Sequence, residues 1–215
     1  MKKCAIVTGG TKPQGRLPLK YLEEADFIIC ADQGAEYAYE LGYTPNLILG
    51  DFDSVSQEIL EKYQSLGVEI AQFPVDKDYT DTELALEKAI AQNPREIYLL
   101  AATGDRLDHT FATVLALVPY AALKIQLKII EDNFAAWLCT GQSVVQGKPG
   151  DTVSLIPLKS HVQGVTVEGF KYPLHNETLY FGSSRGVSNI LTAPKGKIVF
   201  PQGLLLVIHY FENVN

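Results

Sequence analysis

Gly50-Asp51-Phe52-Asp53-Ser54 follows the apolar run Leu47-Ile48-Leu49, and the reading of that junction decides the fold. A continuous apolar run of this length reads as a short buried strand. A strand that ends in glycine and two carboxylates one residue apart builds little core. It suits either a solvated acid-rich turn or a divalent-cation site. Hard cations take oxygen ligands, and Mg²⁺ commonly uses one or two carboxylates plus substrate phosphates.

Working outward, the same strand-then-polar pattern recurs on both sides. Cys4-Ala5-Ile6-Val7 closes at Thr8-Gly9-Gly10-Thr11. That turn reads as a phosphate loop or an ordinary strand-to-helix turn, and it matches neither a dinucleotide fingerprint nor a P-loop. Phe27–Ala31 ends at Asp32-Gln33-Gly34, and a helix follows from Ala35 to Leu41 and stops at Gly42. Beyond the opening stretch, Ser56 is placed to cap a helix carrying Ile59, Leu60, Tyr63 and Leu66. Val68–Phe73 reads as a strand closed by Pro74. Asp76-Lys77-Asp78-Tyr79-Thr80-Asp81-Thr82-Glu83 then puts Thr80 and Glu83 at capping-box spacing for a helix running to about Gln92. Ile97–Ala102 is a strand ending in Thr103-Gly104-Asp105-Arg106-Leu107-Asp108-His109, with an apolar helix after it, and Lys124–Ile130 is the next strand.

Strand and helix in alternation predict an α/β fold, an N-terminal mostly parallel sheet with flanking helices. In such sheets ligands bind beyond the carboxyl ends of the strands. Asp32, Asp51 and Asp53, the Asp76–Asp81 segment and the Gly104–Asp108 turn all follow strands. Carboxylates gathered on one edge repel one another without a cation between them. Arg106 adds a fork of donors suited to phosphate, or pairs with Asp105 or Asp108. The convergence favours a metal–phosphate site over scattered loop acids.

After about residue 138 the texture changes. Gly and Pro recur at short intervals around β-branched runs such as Thr152–Ile156, Val165–Val167 and Leu204–Ile208. This predicts a small C-terminal all-β, sandwich-like domain, with boundaries at 1–138 and 139–215. Gly141–Pro149 is not a P-loop, because Pro149 stands where Ser or Thr would bind Mg²⁺.

Of the 215 residues 47% are hydrophobic, enough for a real core, and the net charge is -7. An acidic chain without a Lys/Arg-rich run is a poor partner for nucleic acid or an anionic membrane. No apolar run approaches the ~18 residues of a membrane span, and the N-terminal apolar run is too short for a signal peptide. Cys4, Cys30 and Cys139 show no C-x-x-C spacing and read as buried free thiols, which predicts a cytoplasmic protein.

Taken together, Ala31-Asp32-Gln33-Gly34-Ala35, Gly50-Asp51-Phe52-Asp53-Ser54-Val55, Asp76–Asp81, Ala102–His109 and Gly182-Ser183-Ser184-Arg185-Gly186-Val187-Ser188-Asn189 resemble, in order, the thiamine pyrophosphokinase (thiamine diphosphokinase) family. The resemblance spans essentially the whole chain. It implies ATP plus thiamine giving AMP plus thiamine diphosphate, with Mg²⁺ as cofactor. It also implies a homodimer with thiamine at the subunit interface and the C-terminal domain binding thiamine. By the same resemblance Asp51, Asp53, Asp32 and Asp81 are the metal and phosphate acids. Asp32, Gln33, Gly34, Gly104 and Arg106 bind nucleotide, and Asp108, Ser188 and Asn189 lie near thiamine. Two residues depart from the family's pattern, Gln33 and Asp105 standing where Gly is usual.

The expected mechanism is attack of the thiamine hydroxyl on the β-phosphorus of ATP. Arg106 stabilises the transferring group, and Asp81 is the choice for proton acceptor. An acid such as Asp108 suits thiamine's cationic ring, and an aromatic face would too. Tyr180, Phe181 and Trp137 are candidates for that face, with the core as the alternative place for each. Competing readings are a Mg²⁺-dependent kinase or phosphohydrolase for another small alcohol, and a non-catalytic nucleotide or thiamine sensor.

Overall fold

The structure is a computed structural model that describes residues 2–74, 76 and 78–212. The chain forms two compact units, Met1–Leu117 with Lys124–Asp132, and Val118–Leu123 with Asn133–Asn215.

In the first unit the elements run β1 (Lys3–Val7), α1 (Arg16–Glu23), β2 (Phe27–Ala31), α2 (Gly34–Glu40), β3 (Leu47–Gly50), α3 (Gln57–Ser65), β4 (Glu69–Gln72), α4 (Asp81–Ala91), β5 (Glu96–Leu100), α5 (Leu107–Ala116) and β6 (Gln126–Ile130). The strands lie in the order β6-β5-β1-β2-β3-β4, and every neighbouring pair is parallel. The continuous apolar runs follow from burial on both faces: Ile6, Ile29, Ile48 and Leu99 are fully buried. From β1 the chain winds one way through β2, β3 and β4, then returns to the other side of β1 for β5 and β6. The reversal falls between β1 and β5, and in sheets of this kind ligands bind beyond the carboxyl ends of the strands near such a reversal.

Helix starts show how local sequence sets this frame. Thr80 caps α4 as its spacing predicts: the Glu83 amide donates to Thr80 Oγ1 (3.2 Å), and the Thr80 amide donates to Glu83 Oε2 (2.8 Å). A cap of this kind contributes about 1 kcal/mol. Ser56 stands at the start of α3 without a side-chain cap bond, and its amide donates instead to Glu36 Oε1 (2.6 Å). Helix α1 has no clear signature in the sequence. Pro18 lies in its first turn, where a missing N–H costs nothing, and its entry is held by Asp132, which accepts from the Gln14 and Gly15 amides.

The second unit is antiparallel. It contains β7 (Phe134–Cys139), β8 (Gln142–Gln146), β9 (Thr152–Pro157), β10 (His161–Glu168), β11 (Leu174–Tyr180), β12 (Asn189–Ile190), β13 (Lys195–Val199) and β14 (Leu205–Tyr210). The order β12-β9-β14-β7 makes one layer, and β11-β10-β13-β8 makes the other. Val153, Leu155, Leu205 and Val207 from the first layer share a core with Val145, Val162, Val165, Val167 and Ile198 from the second. That is a sandwich, as the short β-branched runs between recurring Gly and Pro predict. The main segment of this unit starts at Asn133, a few residues before the change of composition near 138, because β7 pairs with β14. Cys4, Cys30 and Cys139 are buried and free.

Candidate active site

A cavity of about 760 Å³ opens at the carboxyl ends of β1, β2, β3 and β5. Its wall is built from strand ends. Thr8–Lys12 follows β1, Asp32 and Gln33 follow β2, Asp51 and Ser54 follow β3, Tyr79–Thr82 leads into α4, and Ala101–Arg106 follows β5. The size suits a small-molecule ligand. Backbone conformation marks the same place: Asp32 (φ 44°), Phe52 (φ 67°) and Ala101 (φ 52°) are non-glycine residues in the left-handed region. Each costs of order 1–3 kcal/mol, and such residues collect at sites that need a particular geometry.

Asp32, Asp51 and Asp81 line the cavity. The Asp32 carboxyl is pushed from its ordinary 3.8 up to about 7. Burial is the largest cause, followed by a hydrogen bond and repulsion from Asp81; the Phe52 amide opposes this and Asp51 adds to it. Asp32 and Asp81 therefore share a proton or need a cation. Gly50 makes room for this arrangement, since its φ is 145° and a Cβ there would collide with Asp32 Oδ1. Asp53 is exposed on the adjoining turn, outside the cavity wall, where its amide donates to Asp51 Oδ1 (3.0 Å). Asp76 and Asp78 are also exposed and off the wall, and Lys77 of that segment lies outside the described residues.

Among the described residues no three His, Cys, Asp or Glu side chains are gathered into a chelate. The donor set still fits Mg²⁺, which takes one or two carboxylates and completes its shell with phosphate and water oxygens. The repulsion that Asp32 meets from the Asp81 carboxyl beside it is the feature that a cation would relieve.

Arg106 and Lys12 line the same cavity. Arg106 forks onto Asp108, Nε to Oδ1 at 3.3 Å and an Nη to Oδ2 at 2.6 Å, and both side chains are exposed. The partner is thus Asp108, not Asp105, and Asp108 itself is off the cavity wall. An exposed pair of this kind is worth little, so phosphate can displace it. Lys12 pairs with Glu40 at the surface.

The remaining expected site residues divide. Gln33 and Gly104 are on the wall. Gly34 is buried beneath it, where a Cβ would collide with the Val7 carbonyl, so its place is a close helix–strand approach. Ser188 and Asn189 belong to the second unit. Ser188 is exposed at φ 59°, its amide donating to Ser154 Oγ (3.1 Å). The Asn189 amide is committed to the Tyr172 backbone, Oδ1 accepting at 3.0 Å and Nδ2 donating at 2.7 Å.

Sequence reasoning gave no site role to Lys12, Tyr37, Thr110 or Thr113, which also line the cavity. It left the Thr8–Thr11 turn open between two readings. The glycine pair was the available signal, but its meaning depends on β1 sitting beside β5.

Comparison with known proteins follows the same division of the chain. Residues 19–129 match the family model described as thiamin pyrophosphokinase, catalytic domain. Residues 142–205 match thiamin pyrophosphokinase, vitamin B1 binding domain. Thiamine pyrophosphokinase of Bacillus subtilis is 29% identical over 212 residues, spanning 97% of this chain and 98% of the relative. The crystal structure of thiamine pyrophosphokinase from that species superposes with a TM-score of 0.88, covering 99% of this chain and 100% of the other. The thiamin pyrophosphokinase structure from Geobacillus thermodenitrificans gives 0.85 at 29% identity, with 98% of both chains covered. With the strand-end acids, the cations that share their cavity and both family regions on one chain, the protein belongs to the thiamin pyrophosphokinase family.

Proposed function

We propose that this chain transfers the pyrophosphoryl group of ATP to the hydroxyl of thiamine, giving thiamine diphosphate and AMP. The observation that carries the reading is the cavity at the carboxyl ends of the strands, lined by Asp32, Asp51 and Asp81 together with Lys12 and Arg106, on a chain of this family. The thiamine oxygen attacks the β-phosphorus, the bond from Pβ to the oxygen of the α-phosphate breaks, and AMP leaves with that oxygen. The hydroxyl proton passes to a carboxylate, for which Asp81 on the wall is the candidate. The protein's part is to align the two substrates and neutralise charge. Arg106 exchanges Asp108 for phosphate and stabilises the transferring group. The glycine turns Gly9–Thr11 and Thr103–Gly104 let the backbone lie close against the nucleotide.

Asp32, Asp51 and Asp81, with Asp53 on the adjoining turn, are the carboxylates that would hold Mg²⁺, and when bound it supplies counter-charge to the phosphate oxygens. In this reading the first unit is the catalytic, ATP-binding one. The second binds thiamine, with Ser188 and Asn189 near it and Asp108 facing its cationic ring. Three free buried thiols suit the reducing cytoplasm. Among the described residues no helix is long and apolar enough to cross a membrane.

Product analysis is the test. AMP and thiamine diphosphate should appear in equal amounts, and EDTA should stop both until Mg²⁺ is restored. ADP or orthophosphate as product would instead indicate a kinase or phosphohydrolase of another kind. Binding without AMP release would indicate a sensor.

The active form in this reading is a homodimer with thiamine at the subunit interface. Its support is apolar surface: Leu107, Phe111 and Leu115 recur at four-residue spacing on α5 and are more than half exposed, as are Tyr180 and Phe181. Sedimentation at micromolar concentration should give twice the chain mass of 23.7 kDa. A single monomeric species would remove the dimer from the account.

A further inference from the structure

Glu131 follows β6 and is 7% exposed, yet it is absent from the cavity wall. Its Oε1 accepts two backbone hydrogen bonds, from Ala102 N and Thr103 N, each at 2.9 Å. A buried carboxylate is costly unless its charge is satisfied, so its place here needs a reason. Burial pushes the Glu131 carboxyl up to about 7, and the two amides pull it back. The residue before these amides is Ala101, held in the left-handed region at φ 52°. An alanine keeps that conformation only where its surroundings fix it.

The loop that Glu131 holds in turn holds another. Ala101 O accepts from Gly10 N (2.8 Å), and Thr103 O accepts from Thr11 N (2.7 Å). A Cβ on Gly10 would collide with both carbonyls, so the two loops are in close register. The far end of the β1 loop is tied to the neighbouring residue: Asp132 accepts from Gly15 N at 2.9 Å and from Gln14 N at 3.1 Å. Two consecutive carboxylates after one strand thus grip both of these loops, which line the cavity.

We propose that Glu131 is a positioning residue for the nucleotide. It fixes the Ala102–Gly104 turn, and through that turn the Gly9–Thr11 loop, so that both keep the shape of the wall against which the nucleotide lies. This rests on the reading of the cavity as the ATP site. Glu131 touches no substrate, so its effect should fall on nucleotide affinity and spare thiamine.

The test compares E131M, which keeps the volume and removes the oxygen acceptor, with E131Q, which keeps the acceptor and removes the charge. Steady-state kinetics and calorimetric titration with AMP in the absence of metal are run well below each variant's Tm. E131M should raise KM for ATP and Kd for AMP at least about tenfold and leave KM for thiamine within about twofold. E131Q should return both nucleotide constants to within about threefold of the wild type. A role in stability alone predicts a lower Tm with unchanged nucleotide constants, and that result overturns the proposal. E131Q as impaired as E131M overturns it too, because the acceptor's position would then not be what matters. If E131M does not fold, E131D decides: it keeps the charge and withdraws the acceptor by one methylene, and an unchanged KM for ATP and Kd for AMP refutes the role. AMP titration reads Glu131 even if thiamine is not turned over, so failure of the proposed reaction and failure of this inference remain separate.

Discussion

At pH 8, without nucleotide or metal, Asp32→Asn should melt several degrees above the wild type while losing about 10²–10³-fold in turnover. The loss is the usual scale for removing one charged group at a transferring centre. The gain follows from the proton linkage of a carboxyl raised from 3.8 to about 7, chiefly by burial and by Asp81. Between those pH values the folded state binds more protons at this site than the unfolded state. The stability it contributes is therefore present at low pH and is lost as pH rises through the window. Asparagine stays neutral and escapes the loss, so its advantage should be absent at pH 4, grow towards pH 7 and then level off. Asp32 is only partly buried, so solvent screening keeps the gain well below what the shift alone would give. In a chain of this size each kcal/mol moves Tm by about 2–4 °C. Asparagine also tolerates the left-handed backbone that Asp32 adopts at φ 44°, so the variant adds no new strain. Melting curves from pH 4 to 8 provide the check. A variant less stable than wild type at pH 8, or a difference that does not change with pH, removes the carboxylate repulsion from the account. Stability gained by disarming a site is a common trade in enzymes.

Much of this fold can be read in the sequence because parallel strands buried on both faces appear as unbroken apolar runs. Leu47–Leu49 and Phe27–Ala31 are strands where the runs lie, and Thr80 with Glu83 caps α4. Helix α1 is hidden because Pro18 weakens its signal and its entry is held from Asp132, over a hundred residues away. Contacts at that separation leave no local pattern. Strand order is hidden for the same reason, and with it the meaning of Gly9-Gly10: only when β1 lies between β5 and β2 do those glycines line the cavity. The acids after the strands could be found by position, but their division could not. Asp51 faces the cavity and Asp53 is exposed beyond it, because Phe52 turns the chain at φ 67°. Asn189 is a different case: its motif does not reveal that its amide group is engaged with the Tyr172 backbone, a partner 17 residues away.

Gly50→Ala should abolish useful turnover, by at least about 10²-fold, although it adds one methyl group and removes no polar atom. Two effects meet at this position. The backbone sits at φ 145°, which L side chains rarely adopt, and the new Cβ would collide with Asp32 Oδ1 and Cγ. The first costs stability, about 1–3 kcal/mol. The second moves the carboxylate whose amide and side chain join β2 to β3: Asp32 N donates to Leu49 O (3.0 Å), and Phe52 N approaches Asp32 Oδ1 at 3.4 Å. A displacement of about 1 Å at a positioned group is enough for a 10²-fold loss. Gly42→Ala separates the two effects. Gly42 also has positive φ, at 80°, but a Cβ there meets nothing within 4 Å. It follows α2, away from the cavity wall. Both variants should lose Tm, and only Gly50→Ala should lose turnover when each is assayed well below its own Tm. Equal activity in the two variants would mean that the glycine of the Gly50–Ser54 stretch serves the turn alone. The predicted difference instead makes Gly50 the seat of Asp32, so that the carboxylate it admits matters as much to the site as the Asp51 and Asp53 beside it.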